Sequence, residues 1–125
     1  MPTLRELMGD ADQVKKLDAG ELESLADLVY IDGGVSRAEA GFLFELLREV
    51  GLPTPALENL FVVAVKRHLL ADGVIGRAET AWLGRMAPRD EMSQASERLF
   101  RELREQADET CAEFESLYSD RMGFS

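Results

Sequence analysis

The sequence holds one cysteine, one histidine, one tryptophan and four prolines in 125 residues. Each scarcity excludes something. Cys111 has no partner for an internal disulfide, so a disulfide framework is out and a reducing compartment, the cytoplasm, is the expectation. His68 has no second histidine or nearby cysteine with which to make a zinc set. A nucleophilic site needs a base poised beside a serine or cysteine, and nothing local places His68 beside Cys111. No phosphate loop, dinucleotide fingerprint or nucleophile elbow is present, so the chain reads as a non-enzyme. Long apolar runs are missing too. The longest, Leu60 to Val65, falls far short of the roughly 18 residues of a membrane span. The first residues lack a basic stretch followed by an apolar one, so no secretory signal is expected.

Positive charge is also in short supply. Lys and Arg number 14 against 24 Asp and Glu, for a net charge of −10. A nucleic-acid partner needs a basic face to replace counterions on phosphate, and an anionic membrane surface makes the same demand, so neither is expected. The acids crowd into residues 1–51 and 91–125. Lys66, Arg67, Arg77, Arg85 and Arg89 collect in a nearly neutral middle. Such a division suits orientation-specific contact with a protein partner, although a solvated surface explains it equally.

Apolar residues make up 46% of the chain, enough for a core without staples. Their spacing is helical throughout. Thr3 to Glu6 fits a capping box, and Gly9-Asp10 breaks that short opener. A second short helix is expected over Ala11–Leu17. Asp18, with Glu21 three residues on, caps a helix with the face Leu22, Leu25 and Leu28 or Val29, ending at Asp32-Gly33-Gly34. Ser36 and Glu39 form a capping box for a helix facing the core with Phe42, Leu43, Leu46, Leu47 and Val50, closed by Gly51. Thr54-Pro55 opens a helix, running to Ala71, that is apolar on nearly every side and therefore central. Arg77 to Met86 follows. One long C-terminal helix is expected over about 93–122, with a stripe of Phe100, Leu103, Ala107, Cys111, Phe114 and Leu117 or Tyr118. That stripe serves the core or a homodimer contact.

The chain repeats itself. Asp32-Gly33-Gly34-Val35-Ser36-Arg37-Ala38-Glu39 matches Asp72-Gly73-Val74-Ile75-Gly76-Arg77-Ala78-Glu79 at an offset of 40, with Phe42/Trp82 and Leu43/Leu83 extending the match. The expected fold class is therefore all-α. It is a single-domain helical bundle of two related helix–turn–helix halves, about 18–51 and 54–90, with the C-terminal helix added. The pattern Ala71-Asp72-Gly73-Val74-Ile75-Gly76-Arg77-Ala78-Glu79 resembles the TerB-like family, named after a tellurite-resistance protein; the first copy carries Ile31 where the motif has alanine. The resemblance covers roughly residues 20–120. It implies an all-α bundle of two similar halves, a cytoplasmic place, association with stress responses, acidic residues that bind metal, and no established reaction.

Asp32 with Glu39, and Asp72 with Glu79, also have the spacing of the carboxylate before the obligatory glycine and the last glutamate of an EF-hand loop. The first and third ligand positions of such loops would be Leu28 and Tyr30, and His68 and Leu70, which are useless to calcium. A divalent cation such as calcium would therefore be held weakly, no tighter than about 10⁻⁴ M. The alternative is structural: the aspartates close their turns and the glutamates cap the following helices. The functional expectation is a protein-interaction or stress-associated module with a weak cation at Asp32, Glu39, Asp72 and Glu79. A calcium-responsive regulator using the two Asp-Gly turns is the alternative.

Overall fold

The computed structural model describes residues 4–7, 11–32, 35–51, 53–91 and 93–123. The expected capping box at Thr3 and the breaks at Gly9-Asp10 and Gly33-Gly34 lie outside the described residues. The fold is all-α. Among the described residues eight α-helices run in order: α1 (Leu4–Leu7), α2 (Ala11–Lys15), α3 (Ala19–Asp32), α4 (Arg37–Val50), α5 (Pro55–Leu69), α6 (Arg77–Met86), α7 (Gln94–Gln106) and α8 (Ala112–Met122). Two residues each of β1 (Val74–Ile75) and β2 (Glu109–Thr110) interrupt them, and a 3-10 turn covers Arg89–Glu91. The chain divides into two compact units, Met1–His68 and Leu69–Ser125.

In the first unit, helix starts are set by side chains that satisfy orphan backbone donors. Asp18 Oδ1 accepts the Glu21 N–H at 2.8 Å, and Glu21 returns to the Asp18 N–H at 3.2 Å. Ser36 and Glu39 make the same reciprocal box at the head of α4. Thr54 Oγ1 accepts from Leu57 N–H at the head of α5. Gly51 ends α4 at φ 79°, its N–H returning to the Leu47 carbonyl at 2.9 Å. The buried face of α3 is Leu22, Leu25, Ala26 and Val29, which leaves Leu28 outside. In α4, Phe44 is buried beside Leu43, Leu46 and Leu47, while Phe42 is half-buried. The reason is a partner on the next helix: the Phe44 ring meets Phe61 of α5 edge-on, centroids 4.9 Å apart. Helix α5 buries Leu60, Phe61, Val62, Ala64 and Val65, as an all-round apolar helix should. It stops at Leu69, two residues before the expected end. His68 Nδ1 lies 3.1 Å from the Val35 carbonyl.

The second unit corrects the expectation of one C-terminal helix. Residues 93–122 are helical on both sides of a break, and β2 lies in the break, paired in parallel with β1 through Val74↔Glu109 and Ile75↔Thr110. The cause is non-local. The Asp108 and Glu109 N–H groups donate to the Gly73 carbonyl at 2.8 and 3.3 Å, and Cys111 N–H donates to the Ile75 carbonyl at 3.2 Å. These bonds replace those that would have continued α7. Cys111 then serves as the N-cap of α8. Ile75, Leu83, Leu99, Phe100, Leu103 and Phe114 are fully buried, so the apolar stripe of the C-terminal segment is used within the chain. Arg121 of α8 donates to the carbonyls of Ala87 (2.8 Å) and Gly84 (3.4 Å), closing the C-terminal end of α6.

The copies of the repeat agree where they feed a helix and differ where they leave one. The N-caps Ser36 and Gly76 stand 40 residues apart, as do the starts of α4 and α6. Val35 and Ile75 are both buried, and so are Leu43 and Leu83. The approaches diverge: α3 runs to Asp32, whereas α5 ends at Leu69 and its turn contains a strand that Val35-Ser36 lacks. Within the second unit a different correspondence appears. The strand register and the N-caps Gly76 and Cys111 share an offset of 35, so α6 and α8 both spring from the ends of paired parallel strands.

Candidate functional site

Of the four acidic residues singled out by the sequence, Glu39 and Asp72 are bonded to nearby residues of their own turns. Glu39 is buried; its carboxylate accepts from the Ser36 N–H at 3.3 Å and the Ser36 hydroxyl at 2.9 Å. Asp72 is exposed, and its Oδ1 accepts the Val74 N–H at 3.1 Å, the bond of a side chain closing its own turn. Glu79 folds back over its N-cap, Oε2 standing 3.2 Å from where a Cβ on Gly76 would be. Asp32 is the last residue of α3, and its side chain lies outside the described residues. Asp32 and Glu39 belong to the first unit, Asp72 and Glu79 to the second. Among the described residues no group of three or more His, Cys, Asp or Glu is gathered to hold a metal ion.

Gly73 shows why the turn motif needs its glycine. Its φ is 80°, the left-handed region, and a Cβ there would stand 2.4 Å from Asp108 Oδ2. The Asp-Gly pair is thus the socket into which the segment before α8 is pinned. Near it, Glu113 is held below the usual carboxylate range by its own backbone N–H, by Arg77 with Nε 2.7 Å from Oε1, and by the Cys111 thiol. Cys111 Sγ lies 3.5 Å from Thr80 Oγ1. Two of the bases from the neutral middle are therefore matched to acids of the C-terminal segment, since Arg89 also pairs with Asp120 at 3.4 Å. Exposed pairs of this kind contribute little to stability.

A cleft of about 280 Å³ opens in the first unit, walled by Val14, Leu17, Leu22, Val50 and Leu57. Lys15 and Glu49 form an ion pair of 3.7 Å at its edge. It falls just under the roughly 300–1,000 Å³ usual for small-molecule sites. Thr54 completes its lining.

The more distinctive surface lies on α3. Among the described residues the exposed large apolar side chains are Leu28 (41%), Tyr30 (64%), Ile31 (79%) and Val74 (36%). Three of these four fall within a single turn of one helix. The Tyr30 ring is covered on one side by the Arg67 guanidinium, 4.9 Å from the centroid, and Arg67 also donates to the Tyr30 carbonyl. Leu28 and Ile31 have no such cover among these contacts. Sequence reading placed Leu28 as an alternative to Val29 in the core and noted Ile31 only as a departure from a motif. The signal that separates them is angular: Leu28 and Ile31 fall off the face defined by Leu22, Leu25, Ala26 and Val29.

A scan against family models finds no match, and searches of curated proteins and of solved structures find none either.

Proposed function

We propose that the chain is a protein-interaction module, not a catalyst, and that the C-terminal turn of α3 is its docking face. The observation that carries this reading is the concentration of exposed apolar side chains at Leu28, Tyr30 and Ile31, since the other large apolar side chains among the described residues are, Val74 aside, buried or half-buried. Scattered exposed leucines are ordinary, whereas neighbouring ones mark contact sites. Leaving such a side chain in water forgoes about 1.5–3 kcal/mol that full burial would supply. A partner that covers Leu28 and Ile31 recovers part of that. The stress association and TerB-like kinship belong to this same proposal and rest on the motif Ala71–Glu79 alone. A cytoplasmic place rests on the lone Cys111. Among the described residues no helix is long and apolar enough to cross a membrane.

The test is a paired capture. The full chain and its Leu28→Ser/Ile31→Ser variant are immobilised and exposed to extract of the native host. Surface substitutions should change stability by no more than about 0.5 kcal/mol each, so the variant should melt with the parent. A protein held by the parent and lost from the variant supports the reading. An identical captured set overturns it, and so does a variant that unfolds as a core variant would.

A further inference from the structure

We propose that α3 receives a basic amphipathic helix of another protein; this deepens, and rests on, the reading of α3 as a docking face. The argument is the order of side chains around the helix. With 3.6 residues per turn, successive residues stand about 100° apart, so Ser24, Leu28 and Ile31 share a sector of about 60°. Ser24 is exposed, as are both apolar residues beyond it. These positions are i, i+4 and i+7, the spacing by which one helix seats against another. Exposed Glu23 and Asp27 border the stripe on one side and exposed Glu21 on the other. No lysine or arginine occurs anywhere in Ala19–Asp32. Arg67 lies on Tyr30, beyond the Glu23–Asp27 side of the stripe.

An apolar stripe between acidic rows selects its occupant by charge. A second copy would set Glu23 and Asp27 against their own counterparts, on molecules that each carry −10, and like charges facing across a contact are costly. Acidic or neutral helices gain only the apolar seam. A helix with Lys or Arg on both flanks of its own i, i+4, i+7 seam gains the seam and meets the carboxylates. The stripe from Ser24 to Ile31 spans about 10 Å, or two helical turns. The guest therefore engages through about three seam residues, and the flanking charges supply much of the selectivity.

The test uses the full chain, isotope-labelled for NMR, and three designed helical peptides that share one leucine seam and carry Lys, Gln or Glu on its flanks. The Lys peptide should shift the amides around Ser24, Asp27, Leu28 and Ile31 and bind at least tenfold tighter than the Gln peptide. The Glu peptide should not bind. Leu28→Ser/Ile31→Ser, shown folded by a dispersed spectrum, should lose the Lys peptide. Glu23→Gln/Asp27→Asn should bring it down towards the Gln peptide. Equal binding of the Lys and Gln peptides at α3 would overturn the basic partner while leaving the docking face. Shifts scattered over other acidic surface, unaffected by Leu28→Ser/Ile31→Ser, would overturn both. Concentration-dependent broadening confined to α3 without peptide would identify a second copy as the occupant and overturn the basic helix.

Discussion

Replacing Gly73 by alanine separates the two things the Asp-Gly turn supplies. At φ 80° an L-residue sits in the left-handed region, which costs about 1–2 kcal/mol relative to glycine. The new Cβ would also lie 2.4 Å from Asp108 Oδ2 and 3.2 Å from Cγ, so the carboxylate must swing away. Asp108 is exposed and its side chain flexible; turning it off its rotamer costs about 0.5–1.5 kcal/mol. The sum, roughly 2 kcal/mol, is a large part of a total stability of order 5–15 kcal/mol. Asp108→Ala alone should change stability by less than about 0.5 kcal/mol. The double variant should retain only the backbone cost, leaving a coupling of about 0.5–1.5 kcal/mol between the positions. Urea unfolding followed by far-UV circular dichroism reads this directly. With an m of about 2 kcal/mol per molar, the single variant should unfold near 1 M earlier at unchanged slope. A midpoint equal to the parent's would show that residue 73 is not left-handed. A double variant as unstable as Gly73→Ala would show that Asp108 does not lie against the turn.

Three further expectations follow from contacts of the same kind. Arg121→Met keeps the stem and removes the donors that close α6 at Ala87 and Gly84; charged hydrogen bonds are worth about 1.5–3 kcal/mol, so a loss of that order is expected in urea unfolding, and a loss no larger than that of an exposed arginine would refute the latch. Glu113 is held low by its backbone N–H, Arg77 and Cys111, so its ionised form favours the fold: the contribution is present above the unfolded-state pKa and fades as pH falls through the folded-state value. An NMR titration should find its midpoint below the usual glutamate range and raised in Arg77→Ala; an unmoved midpoint would refute the pairing. With Glu39 and Asp72 bonded to backbone, millimolar calcium should leave the melting temperature unchanged; a rise abolished by Asp32→Asn/Asp72→Asn would place a cation at the turns.

What the sequence made legible was local. Asp18 with Glu21, Ser36 with Glu39, and Thr54 with Leu57 announce helix starts because each bond spans three residues and needs no tertiary partner. The burial of α5 was legible because no helix so apolar can face water. The break between α7 and α8 was not legible, since residues 93–122 contain neither glycine nor proline. It is made by the Gly73 and Ile75 carbonyls, more than thirty residues away in sequence. The candidate site divided in the same way. Asp72 and Glu39 were found by motif, but their duties became visible only with their backbone partners. Leu28 and Ile31 were hidden because Leu28 neighbours the true core residue Val29.

The two copies of the repeated motif differ in what they expose. Where the copies agree, at Val35/Ile75, Leu43/Leu83 and the two N-caps, the residues are buried or bonded to backbone, and agreement follows from having the same helix to start. Where they disagree, Leu28 stands opposite His68, Tyr30 opposite Leu70 and Ile31 opposite Ala71. In the second copy these positions are a half-buried histidine near a backbone carbonyl, a half-buried leucine and an exposed alanine, none of which offers a large apolar surface. In the first copy all three are exposed and large. A requirement to start the next helix cannot explain that contrast, because both copies meet the requirement. Nor does core packing explain it, since Ile31 is more than three-quarters exposed. The contrast is what the proposed docking of a partner on α3 accounts for.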